Sequence, residues 1–231
     1  MKLAINQPYF FPYIGYFQLL NQVDIFVSLD DVNYIKKGWI SRNTIADSQG
    51  LEIPFSVPLS KPSQNKDINQ TLLSSTYPDW RAKWLITLQH CYGKTSFYRP
   101  ISQLINDVVH DHTVTTIADL AEKSIVETCK YLGIRCAFGR ANKVTKTCNG
   151  EARILEICKA HSATQYFNLS GGVTLYHSDK FIAQGIDLFF LRSLAQPYRD
   201  IPNTLSVIDI MMHNDPKDIR DMLTQTEIWK G

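Results

Sequence analysis

The chain has almost no net charge to offer a polyanion. Its 231 residues carry 24 lysines and arginines against 22 aspartates and glutamates, a balance of +2. A protein so neutral surrounds itself with no broad basic field, so attraction to DNA or to an anionic membrane surface is not expected of it. It lacks any run approaching the ~18 apolar residues of a membrane span. The opening Met-Lys-Leu-Ala-Ile-Asn breaks at Asn6, short of the apolar core of a secretion signal. Cys91, Cys129, Cys136, Cys148 and Cys158 are odd in number and form no Cys-x-x-Cys pair, which argues against a disulfide framework or structural zinc and for a reducing cytoplasm. Set beside apolar residues, these thiols read as small buried hydrophobes. A Walker loop, Gly-x-Gly-x-x-Gly, His-Glu-x-x-His, internal repeats and low-complexity tracts are also missing.

What is present is ordinary globular material: 44% hydrophobic residues and a somewhat rich 11% aromatics. That composition suits one domain spanning 1–231. Lys2–Asn6 and Asp24–Asp30 are apolar runs that read as strands. Between them Pro12 suits the first turn of a helix whose apolar face is Ile14, Phe17, Leu19, Leu20 and Val23. Strand, helix, strand within 31 residues predicts parallel pairing through a crossover. Alternation over Trp39–Ile45 and Leu51–Val57, about a turn at Asp47–Gly50, predicts a β-hairpin appended to the sheet. The stretch from Pro58 to Ser75 is polar and aperiodic, a functional or a mobile loop. A helical block follows over about 77–132, with helices at Tyr77–Tyr92, Ile101–His110 and Thr116–Leu132. Further strands are expected at Ile134–Phe138, Gln165–Leu169 and Ile186–Leu191, and helices at Gly150–His161, Leu205–His213 and Pro216–Leu223. The fold class expected is α/β: a mainly parallel sheet of nucleotide-binding-like βα units, the appended hairpin and the helical block, with the active site beyond the carboxyl ends of the strands.

Four stretches concentrate chemistry at predicted strand ends. In Asn6–Tyr16, two prolines stiffen an aromatic loop with amides at its entrance, so Asn6, Gln7, Tyr9 and Tyr13 are candidate ligand contacts or simply a rigid turn. In Leu29–Asn43, Asp30 and Asp31 are candidate acid–base groups. If both stayed in a strand they would face opposite ways. Lys36, Lys37 and Arg42 suit a phosphate or pyrophosphate, Trp39 a ring, and Asn43 a polar contact; a solvated charged loop is the plain alternative. In Asn168–Val173 the glycines of Ser170-Gly171-Gly172 permit close backbone approach to an anion, or only a tight turn. In Leu205–Asp215, Asp209 and His213 are one helical turn apart, so that the carboxylate can orient the imidazole, most simply to steady the helix. No structural metal is expected; magnesium would accompany a nucleotide substrate.

The loop Asn6–Tyr16, Leu29-Asp30-Asp31-Val32, Gly38-Trp39 and Arg42-Asn43, with Ser170–Gly172, Gln196-Pro197-Tyr198, Leu205–Asp209 and His213-Asn214, resemble the WbqC-like family of bacterial proteins along nearly the whole chain. The resemblance implies a cytoplasmic protein of surface-polysaccharide gene clusters, set among enzymes that build nucleotide-linked amino sugars. The family carries His where this chain has Asn6, and an amide cannot titrate near neutrality. A fainter similarity links the opening to nucleotidylyl transferases of the His-x-Gly-His type, yet Phe11–Tyr16 has no histidine. The expected function is thus acyl or aminoacyl transfer to a nucleotide-linked amino sugar of O-antigen-type precursors. Alternatives are a nucleotidylyl transferase or a non-catalytic scaffold among glycan-pathway enzymes, alone or as a homo-oligomer.

Overall fold

The computed structural model describes residues 1–195 and 204–231. The Gln196–Tyr198 motif lies outside the described residues. Strands β1 (Lys2–Asn6), β2 (Ile25–Ser28), β5 (Ala137–Arg140), β6 (Gln165–Leu169), β7 (Asp187–Ser193) and β8 (Thr226–Lys230) form one sheet in the order β5-β2-β1-β6-β7-β8. Every neighbouring pair is parallel except β7 and β8. The chain builds outward from β1 to β2 to β5 and then returns to the other side of β1 with β6. That reversal opens a crevice at the carboxyl ends of β1 and β6, where open α/β sheets bind ligands.

Both sheet faces are covered, which explains why the parallel strands read as continuous apolar runs. Ala4, Phe26 and Phe167 face one side, toward α1 (Ile14–Leu20), α2 (Tyr77–Tyr92), α3 (Tyr98–Val109), α4 (Ile117–Leu132), α7 (Val207–His213) and α8 (Pro216–Thr224). Leu3, Ile5, Val27, Tyr166 and Leu188 face α5 (Gly150–Ala160) and α6 (Ser178–Ile182). Along β1 the faces alternate residue by residue, as the strand period requires.

Sequence expectations differ from this architecture in instructive places. The hairpin of β3 (Arg42–Ala46) and β4 (Glu52–Ser56) is a separate two-stranded sheet. It is joined to the body by packing and by single bonds such as Ser206 N–H to Thr44 O (2.9 Å), not by a ladder to the main sheet. The helix after Pro12 starts at Ile14, with Tyr13 extended as its N-cap. β5 begins at Ala137 because Ile134 still belongs to the end of α4, where its N–H donates to Cys129 O (2.9 Å). β8 had no strand expectation at all, being short, with an exposed Ile228. The polar stretch from Pro58 is tied down: Lys66 O, Ile68 N–H and Asn69 N–H bond Tyr34, Val32 and Asp30, and so lay the segment over the end of β2.

α4 has the clearest local rules. Thr116 and Asp119 form a capping box at its start, and Gly133 closes its end at φ 73°. An added Cβ at Gly133 would meet nothing within 4 Å, so only backbone strain opposes it. Gly133→Ala should therefore cost about 1–2 kcal/mol, measured as a lower urea midpoint with an unchanged slope.

Candidate functional site

The site is organised by the loop from Gln7 to Tyr13 that leaves β1. Phe11 sits at φ 45°, a left-handed conformation that an aromatic residue adopts only under constraint. The constraint comes from three elements. Phe11 N–H donates to Ser124 Oγ of α4 (3.0 Å), while its carbonyl accepts from Asn43 Nδ2 of β3 (2.7 Å) and Ser206 Oγ ahead of α7 (2.8 Å). Pro12 O accepts Val207 N–H (2.9 Å). Strain of about 1–3 kcal/mol is offset by these bonds, at about 1 kcal/mol each, and by burial of the ring, about 1.5–3 kcal/mol more.

Held this way, the loop presents Tyr9 and Tyr13 opposite Trp39. Tyr9, Pro12, Tyr13, Trp39, Asn43 and Thr204 line a largely apolar cleft of about 190 Å³. Trp39 is 53% exposed and carries the Arg42 guanidinium on its ring at 5.3 Å. Burial pushes the Tyr9 and Tyr13 phenols above their ordinary range, with Tyr9 adding to the effect at Tyr13, so both remain neutral hydroxyls near pH 7. Lys37 is exposed in the turn leading to Trp39, itself at φ 61°. Asn43 is less a ligand contact than a brace: besides Phe11 O, its Oδ1 accepts Thr44 N–H (2.8 Å).

At the crevice itself, Asn6 and Asn168 end adjacent strands with the same device, Oδ1 accepting the next residue's N–H (2.9 and 2.7 Å). Gln7 O accepts the Tyr16 hydroxyl (2.8 Å). Ser170 and Gly171 start a 3-10 turn beside them, partly or fully exposed. Gly172 is required by crowding, since a Cβ there would stand 2.8 Å from Asn168 Nδ2.

The two carboxylates at the end of β2 diverge and are withdrawn from solvent. Asp30 is fully buried, with Oδ1 accepting Asn142 N–H (3.1 Å). Burial raises its acid range despite that bond and the nearby Arg140. Asp31 Oδ2 accepts Arg153 Nη2 at 2.7 Å in a buried ion pair, and Asp31 O accepts Lys146 Nζ. Arg153 also donates to the carbonyls of Ala141, Thr145 and Val144, so one guanidinium shapes the loop after β5.

Asp209 and His213 lie on α7, away from the cleft lining. Tyr92 O–H donates to Asp209 Oδ1 (2.8 Å) and its oxygen accepts Ala46 N–H (3.1 Å), tying α7, α2 and β3 together. His213 Nδ1 is oriented by the Asp209 carbonyl at 2.8 Å, while the carboxylate stands 4.0 Å off. Of the residues expected from the sequence, Tyr9, Tyr13, Trp39 and Asn43 share the cleft. Gln7, Asp31, Arg42 and Ser170 do not line it.

The sequence reading did not single out Arg153, Ser206, or the cluster in which Arg140 pairs with Asp119 and Glu122 at 2.8 Å. Arg153 left one faint signal: it stands one helical turn before the inward Ile157.

The WbqC-like family profile matches residues 7–221. The chain belongs to the WbqC-like protein family. It is also similar to the uncharacterized protein Rv1507c of Mycobacterium tuberculosis, 30% identical over 167 residues, with the match covering 71% of each chain. No solved structure matches. Membership suggests a role in polysaccharide-related biosynthesis, and among the described residues no helix is long and apolar enough to cross a membrane. In this WbqC-like chain the loop after β1 is thus a strained, braced turn carrying an aromatic cleft.

Two outcomes follow for the carboxylates. Asp31→Ala takes the buried carboxylate from Arg153, which keeps Glu156 and three carbonyls as partners, and should cost up to about 3–5 kcal/mol, seen as early denaturant unfolding. Asp30→Asn removes a carboxyl whose folded-state range lies above its unfolded one, and stability from such a group declines as pH rises through the folded value. The variant should therefore gain stability over the wild type near neutral pH, with the gain vanishing in acid where Asp30 is protonated in both states; melting curves across pH check this.

Proposed function

We propose that this WbqC-like protein is a cytoplasmic enzyme of surface-polysaccharide precursor biosynthesis that transfers an acyl or aminoacyl group to the amine of a nucleotide-linked amino sugar. The observation that carries the proposal is the braced aromatic cleft beside the β1–β6 crevice, with a guanidinium stacked at its rim. A planar base stacks well between Tyr9, Tyr13 and Trp39, and a diphosphate suits Arg42 and Lys37. Magnesium, where used, arrives on that diphosphate. The sugar then reaches toward Asn6, Gln7 and the Ser170–Gly172 turn, whose amides and backbone N–H groups suit hydroxyl and acyl oxygens.

In the transfer, the amine lone pair attacks the acyl carbonyl, the donor's leaving group departs with the bonding electrons, and the ammonium proton passes to a carboxylate. Of the pair Asp30 is the candidate acceptor, because burial raises its acid range whereas Asp31 is held by Arg153. It is buried outside the cleft lining, so the proton reaches it through an intervening group.

A second reading, a non-catalytic binding subunit among glycan-pathway enzymes, is favoured by one observation: both carboxylates are shielded from solvent. Isothermal titration with a panel of nucleotide-linked amino sugars tests the first reading. We expect binding that weakens about tenfold or more in Trp39→Ala, and failure of every compound to bind would overturn it. Asp30→Asn then separates the two readings. Catalysis predicts tight substrate binding with the acyl product lost, and scaffolding predicts an unchanged glycan product.

A further inference from the structure

The polar side chains where β1 and β6 part are sorted by the hydrogen bonds they already make. Asn6 and Asn168 each give Oδ1 to the next residue's N–H, at 2.9 and 2.7 Å. Neither amide can then be turned around, because a flip would set an NH2 group against an N–H. What each has left to offer a ligand is hydrogen. Asn6 Nδ2 meets no acceptor among the described residues. Asn168 Nδ2 donates one hydrogen to the Tyr166 hydroxyl oxygen (3.2 Å) and keeps the other.

Tyr166 passes the same polarity on. It is fully buried, and its one hydroxyl hydrogen is shared between Ile5 O and the Tyr176 hydroxyl oxygen, both at 3.4 Å. The Tyr176 hydroxyl hydrogen ends this series, with no acceptor among the described residues, on a side chain that is only half-buried. Three contacts fix its place. The ring packs edge-on against Tyr166 and Phe181, with centroids 5.6 and 5.8 Å away. The next residue's backbone is pinned where His177 N–H donates to Glu151 Oε1 (2.5 Å) in the first turn of α5. Gly172 fills the remaining space, since a Cβ there would stand 2.8 Å from Asn168 Nδ2 and 3.2 Å from the Tyr176 ring. Burial keeps both phenols protonated near pH 7.

We propose that Asn6, Asn168 and Tyr176 form a donor-only subsite at the crevice, selective for the carbonyl oxygen of an N-acylated amino sugar. Asn6 follows Ala4 on one face of the sheet and Asn168 follows Tyr166 on the other, so a ligand entering along the crevice passes between them. A ligand nitrogen with hydrogens of its own finds no side-chain partner there. A carbonyl oxygen meets N–H and O–H donors already set in place, which need no reorganisation. The inference rests on the nucleotide-linked amino sugar reading proposed above and deepens it. The group held is the acyl oxygen, which takes up negative charge as the amine attacks and remains in the product as the amide oxygen.

The test is isothermal titration of the full-length protein with matched pairs of nucleotide-linked sugars, each as the free amine and as its N-acetyl amide, on uridine and thymidine diphosphate carriers. The amide of a pair should bind about tenfold tighter than the amine, as one or two added hydrogen bonds allow. Tyr176→Phe keeps the packed ring and removes the terminal donor, and should bring the two affinities to within about twofold. Asn6→Asp keeps the oxygen that Gln7 N–H uses and turns the donor into an acceptor, so it too should erase the preference, without touching the Tyr166 series. Amine and amide binding equally to the wild type, or a preference that survives in both variants, would overturn the donor-only subsite and leave the nucleotide-sugar reading standing. Failure of every compound to bind would overturn that reading and this inference with it. The wild-type comparison decides between these outcomes even where a variant folds poorly.

Discussion

The constraint on which the site depends is the left-handed turn at Phe11. A phenylalanine there is unfavourable on its own. It persists because Ser124, Asn43 and Ser206, drawn from the helical block, the hairpin and the C-terminal segment, all bond the backbone of that one residue. The dependence also runs outward. The hairpin joins the main sheet by no ladder, so its attachment to the body rests on contacts such as these and on Phe10, Phe55 and Trp84 packed within about 6 Å of one another. The aromatic surplus in the composition is spent largely here, partly as core and partly as cleft lining.

A second organising feature is the conversion of charge into internal structure. Asp31, Arg153 and Lys146 join the end of β2 to the loop after β5, while Asp30 holds Asn142 and lies under the segment around Asn69. These contacts offset part of the cost of burying the charges, most of all for Asp31 and Arg153. Among the described residues, Arg42 and the exposed Lys36 and Lys37 stand in the segment that carries Trp39. Such a distribution suits the ligand proposed above, with one anionic segment and one ring.

Family membership and geometry support one another without being the same argument. The family supplies the setting, polysaccharide-related biosynthesis. The strand order supplies the place, a crevice between β1 and β6 flanked by two strand-end asparagines. Asn6 spends its side-chain oxygen on the N–H of Gln7, a role that needs no titrating group.

By itself the sequence determined the local elements: the apolar runs of β1, β2, β6 and β7, the alternation of the hairpin, the capping box and glycine end of α4. It also determined which stretches fall at strand ends, because hydrophobic period and turn residues are encoded within a few neighbours. Only the tertiary structure decided which of those stretches meet. Asp31 and Arg153 are 122 positions apart, and Phe11 and Ser206 are 195 apart. No local pattern records such pairings. β8 was illegible for a related reason: its strand character comes from β7, against which it pairs, and not from its own short, exposed sequence. The same long-range packing buried the candidate acid–base groups Asp30 and Asp31 and gave them different partners.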